Sequence, residues 1–89
     1  MSLEEIRNQI DAVDDEIAEL FNKRMNLIEK VVEAKKTEGK AVNDKDRENK
    51  IILRVCDKVD EDKALYLKKV FETLFEVSKS YQSDRKSVV

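Results

Sequence analysis

LEEIRNQIDAVDDEIAELFNKRMNLIEKVVEAK, residues 3 to 35, decides the fold. Leu3, Ile6, Ile10, Val13, Ile17, Leu20, Leu27 and Val31 recur at steps of three or four, with position 24 completing the row. That spacing predicts one long helix that packs along its whole length. Position 24 holds Arg24 where the row calls for Leu or Ile, and Lys35 extends the row one turn beyond Val31. At 1.5 Å per residue the two cations share a face roughly 16 Å apart. A charge on an apolar stripe requires water or an anionic partner, because burying it unpaired is costly.

A helix of about 35 residues is roughly 52 Å long. A compact domain of 89 residues has a radius of gyration of only about 12 Å. Residues 44 to 85 cannot cover the stripe, so the helix is expected to project and pack against a second chain. The geometry predicts a single all-α domain over residues 1–89, interlocked as a homodimer. Composition agrees with a helical class: 43% charged, 40% hydrophobic, no Pro, and one Gly at position 39. The net charge of −2 has no basic footprint for nucleic acid. No apolar run reaches the length of a membrane span, and no signal peptide is visible. Cys56 stands alone and there is no His. That argues against a disulfide framework and a transition-metal site, and fits a reduced, cytoplasmic setting.

Outward from the first helix, Ser2 and Glu5 form a capping-box pattern at its start, and Gly39 is a natural stop. Residues 39 to 43 read as a linker. Asn43 or Asp44 can cap a short second helix with an inward row of Asp44, Glu48, Ile51 and Val55. Arg47 is placed to pair with Asp44. A break around Val59 to Asp62 precedes a third helix, capped by Asp60 or Asp62 and running to about Gln82. Its inward row is Leu67, Phe71, Leu74, Ser78 and Gln82, with Val70, Phe75 and Tyr81 beside it. Residues 83 to 89 are expected to form a loose tail.

Taken singly, each polar member of these rows has an ordinary explanation: a cap for Asp44, a solvated charge for Glu48, a fraying end for Ser78 and Gln82. Together they put Arg24 and Lys35, Asp44 and Glu48, then Ser78 and Gln82 on faces that should be apolar. Small polar pockets inside helical bundles are built this way. The set suits a small dianion that also carries hydroxyl or ether oxygens. Pattern alone leaves a pocket and a plain helical interaction module both open.

The chain resembles the all-helical, bacterial-type chorismate mutase family from about Leu3 to Gln82. The strongest segments are residues 6–35, VNDKDRE at 42–48 and FETLFEVSKSYQ at 71–82. The I-D-x-x-D-x-x-I-x-x-L-x-x-x-R run is moderately specific. A Lys eleven residues after that Arg, then D-x-D-R-E, then S-x-x-x-Q, make the match highly specific. The resemblance implies a dimer of three-helix subunits with two sites, a monofunctional isomerase rearranging chorismate to prephenate on the route to phenylalanine and tyrosine. It also implies a site from one subunit made of Arg24, Lys35, Asp44, Glu48, Ser78 and Gln82, with Arg47 supporting Asp44 and Arg7 entering from the other subunit. No cofactor and no metal are expected, since the rearrangement is intramolecular and pericyclic.

Helix geometry gives the same answer for Arg7. It lies 17 residues before Arg24, roughly 25 Å along a straight helix. One small ligand cannot touch both on one helix. Two antiparallel copies about a twofold axis bring Arg7 of one near Arg24 to Val31 of the other. The rival inside the fold is a lyase that eliminates pyruvate from isochorismate; Glu48 and Gln82 favour the mutase. The rival from another class is a non-catalytic helical dimerisation module.

Overall fold

The computed structural model describes residues 1–38 and 44–87, with side chains as far as residue 36 in the first segment and residue 84 in the second. The described residues form three helices and no strand: α1 (Leu3–Glu38), α2 (Lys45–Cys56) and α3 (Glu61–Ser87). The ends follow local chemistry. Ser2 Oγ accepts from the Glu5 N–H at 3.1 Å, the hydroxyl half of a capping box. Asp44 caps α2, its Oδ1 accepting from the Arg47 N–H at 3.0 Å. Asp60 immediately precedes α3 and accepts at its carbonyl from the Lys63 N–H. Gly39 and Asn43, expected at the ends of the linker, lie outside the described residues.

α3 is the central element. It packs against both α2 and α1, whereas α1 and α2 do not pack directly on each other. Among the described residues, Met25, Val32, Ile51 and Phe75 are the buried apolar ones. Phe71 and Phe75 meet edge to face with centroids 6.1 Å apart, a favourable aromatic geometry. Cys56 is half-buried between α2 and α3, its Sγ donating to the Ala64 carbonyl.

Among the described residues, only the second half of α1 touches the rest of the chain. Residues 1 to 23 are exposed throughout. The molecule measures 54 × 29 × 16 Å with a radius of gyration of 16.2 Å, against about 12 Å for a compact chain of this length. The row that predicted the helix is uncovered: Ile10, Val13, Ile17 and Leu20 are 52 to 63% exposed. The face turned toward α3 is the neighbouring one, Met25, Ile28 and Val32, while Leu27 and Val31 remain on the outer row. α1 thus carries two apolar faces, which a single periodic row does not reveal.

α3 departs from expectation at two places. Val70, expected beside the inward row, is 59% exposed. The helix continues to Ser87 where a loose tail was expected from residue 83. The segment SDRKS contains neither Pro nor Gly to stop it. No helix among the described residues is long and apolar enough to cross a membrane.

Candidate active site

A cleft of about 200 Å³ opens where the three helices converge. From α1 it takes Arg24, Ile28, Val31 and Lys35; from the start of α2, Asp44, Arg47, Glu48 and Ile51; from α3, Phe75, Ser78, Lys79 and Gln82. The cleft therefore gathers Arg24, Lys35, Asp44, Arg47, Glu48, Ser78 and Gln82, which the sequence put on three different helices. Arg7 is not among its walls. It is exposed on the projecting half of α1, roughly 25 Å from Arg24 by helix rise.

Arg24 is fixed before any ligand arrives. Its Nη1 donates to Ser78 Oγ at 2.8 Å, and its guanidinium lies 5.8 Å from the Phe75 ring centroid, within cation–π range. Ser78 is buried, donates to the Leu74 carbonyl at 2.8 Å and sits 3.9 Å from Met25 Sδ. Ser78 thus anchors Arg24 to the backbone of α3. Burial, and secondarily the positive charge of Arg47, pull the Arg24 guanidinium below its ordinary pKa. It remains a cation at neutral pH, because arginine does not lose its proton in proteins. A desolvated cation flanked by a second cation is a strong anion site.

The other end is acidic. Glu48 stands one turn into α2, and its Oε2 lies 2.8 Å from Lys79 Nζ on α3. Its Oε1 has a weaker contact, 3.7 Å, with Lys45. Asp44 meets Arg47 through the backbone N–H that it caps. Gln82 is buried, and its Oε1 has no hydrogen-bond partner among the described residues. An unpaired buried amide oxygen costs about 1–3 kcal/mol. Such a side chain is placed for something other than stability.

A larger hollow of about 330 Å³ shares Ile28 and Gln82 with the cleft. Its remaining polar walls are Glu29, Lys30, Glu33, Lys36 and Tyr81. The Tyr81 hydroxyl donates to Glu29 Oε1, tying α1 to α3. Its two carboxylates are matched by two lysines, whereas the smaller cleft sets Arg24, Lys35, Arg47 and Lys79 against Asp44 and Glu48, so the smaller, net-positive cleft is the better anion site.

The sequence reading did not place Lys79 or Ile28 in the site. Lys79 follows Ser78 directly but breaks no apolar row, and its partner lies on another helix, so no local signal marks it. Val31 and Arg24 belong both to the exposed row of α1 and to the cleft wall. The exposed row therefore runs up to the cleft.

Comparison with known proteins points the same way. The family model described as chorismate mutase type II matches residues 6–83. A curated relative from Methanocaldococcus jannaschii, named chorismate mutase, is 35% identical over 83 residues, covering 90% of this chain and 83% of its own. No solved structure matches.

Proposed function

Because the chain belongs to the chorismate mutase type II family, we propose that its converging-helix cleft is where chorismate is held and rearranged to prephenate. The enzyme is an isomerase with chorismate mutase activity. The observation that carries the site is the gathering of Arg24, Lys35, Glu48, Ser78 and Gln82 in one cleft.

In this reaction a C–O bond breaks as a C–C bond forms within one molecule. Two effects lower the barrier. The enolpyruvyl arm must be held over the ring, which is positioning. The ether oxygen gains negative charge, so donors aimed at it favour the transition state over the substrate. Arg24 clamps one substrate carboxylate through its guanidinium fork. Lys35 bridges a carboxylate and the ether oxygen, and Gln82 donates to the same oxygen. Glu48 accepts from the ring hydroxyl with Asp44 assisting, Arg47 supports Asp44, and Ser78 orients Arg24; its one O–H must turn from the Leu74 carbonyl to add a hydrogen bond to a carboxylate.

The second carboxylate falls to Arg7 of a second subunit. The exposed row of α1 supports this reading: a continuous apolar stripe on a soluble helix marks an interface. A twofold pairing through the row covers it and carries each Arg7 to the partner's cleft mouth, where Arg24 and Val31 already border the row.

The deciding experiment follows chorismate loss and identifies the product with purified protein. Prephenate is expected. Lys35→Ala is expected to lower kcat by at least about a hundredfold, the usual loss for one transition-state donor. A Lys35→Ala rate within a fewfold of wild type would overturn the assignment. Pyruvate from isochorismate, with chorismate untouched, would make the protein the lyase instead.

A further inference from the structure

Lys79 is a cleft residue to which the scheme above gives no task. Its ion pair with Glu48 spans α2 and α3 at 2.8 Å, and both side chains are withdrawn from water, Glu48 to 16% and Lys79 to 35% exposure. The Lys45 contact differs in kind: 3.7 Å, local to α2, from a side chain 75% exposed. Exposed pairs of that sort hold little. The carboxylate is therefore fixed from α3. Its frame is firm, since Glu48 lies one turn from Ile51 and Lys79 one turn from Phe75. Those two buried apolar residues flank the pair on the helices it joins.

We propose that Lys79 is a positioning residue for the rearrangement, fixing the Glu48 carboxylate in the orientation in which it accepts from the ring hydroxyl. The proposal rests on the role given to Glu48 above. A carboxylate offers about four lone-pair sites. Lys79 occupies Oε2 and leaves Oε1 facing a neighbour too distant for a good hydrogen bond. The terminal torsion of a glutamate is broad and nearly two-fold, so an unanchored carboxylate turns among several acceptor directions. Anchoring one oxygen selects one direction for the other. Glu72 and Glu76, which share a smaller hollow with Lys79 and Glu48, are both exposed and leave the ammonium to Glu48.

The test is a double-mutant cycle on the full chain with chorismate, using Lys79→Met, Glu48→Gln, the double variant and Lys79→Arg. Lys79→Met is expected to lower kcat/KM by about tenfold, mostly in kcat, as misplacing a contact group does. Lys79→Arg is expected to recover most of the loss, and it remains the test if the Met variant does not fold. In the Glu48→Gln background, Lys79→Met is expected to change kcat/KM by less than about twofold, because the two residues act as one unit. Equal losses in both backgrounds would overturn the proposal and make Lys79 a direct substrate contact. A Lys79→Met rate within about twofold of wild type would overturn it as well. Glu48→Gln alone separates the two ideas: if it leaves turnover intact, the role of Glu48 fails first.

Discussion

Arg24 illustrates how one residue can be legible in sequence for a reason the fold then explains. It is visible as a charge in an apolar row, and the structure shows it lodged between Ser78 and Phe75. Its depressed pKa comes first from burial and then from Arg47. The unfolded chain holds this proton more tightly, so the stability at stake is present only above the unfolded pKa and is lost as pH falls through the folded one. At neutral pH the guanidinium stays charged, so an anion, not deprotonation, relieves the desolvated charge. Arg24→Met is accordingly expected to lower kcat/KM by at least about a hundredfold. Its Tm should stay within about 5 °C of wild type; calorimetry beside the rate assay checks both. Gln82 makes the complementary case. An amide donates at every pH, so wild-type activity is expected to be flat from about pH 5 to 7, across the upper carboxylate range. Gln82→Glu must be protonated to donate, and its activity is expected to fall as pH rises through that range. A pH–rate profile of the two proteins decides the matter.

At the scale of elements, the second helix does two jobs with one residue. Asp44 caps α2 and stands on the cleft wall. Asp44→Ala is expected to cost about 1 kcal/mol of stability, or roughly 4–8 °C in Tm for a domain this small. Asp44→Asn keeps the cap, so any loss of turnover in that variant at unchanged Tm reports on the carboxylate alone. The starts of α1 and α2 were readable because capping is local: the side chains of Ser2 and Asp44 each accept from an N–H three residues on, whereas at α3 the Asp60 carboxylate pairs with the Lys63 ammonium and its backbone carbonyl accepts the N–H. The end of α3 was not, because SDRKS lacks any residue that stops a helix. Faces were harder than ends. The row through Leu20, Leu27 and Val31 is real, but α3 packs on Met25 and Val32 instead. Periodicity shows that a helix has an apolar face without telling which neighbour takes it. Lys79 escaped notice for the same reason, since its meaning lies in a residue of another helix.

At the scale of the whole molecule, seven site residues converge within one chain, while Arg7 stays on a helix half that touches nothing else in it. The proposed exchange of Arg7 across a twofold gives a sharp expectation. Arg7→Ala and Arg24→Ala proteins are each expected to be nearly inactive. Unfolded and refolded together, they are expected to regain about a quarter of wild-type activity, since half the dimers are mixed and each mixed dimer has one intact site. A mixture as inactive as its components would overturn the crossing of Arg7 to the partner's site. The thin core, Met25, Val32, Ile51 and Phe75, carries a further consequence once pairing is granted. A chain with so little apolar interior draws its stability from its partner, and mass action then ties folding to abundance. Dilution costs such an enzyme subunits as well as collisions. When expression is low, the amount of active enzyme falls faster than the number of chains made, and the supply of prephenate has a threshold written into the protein's own concentration.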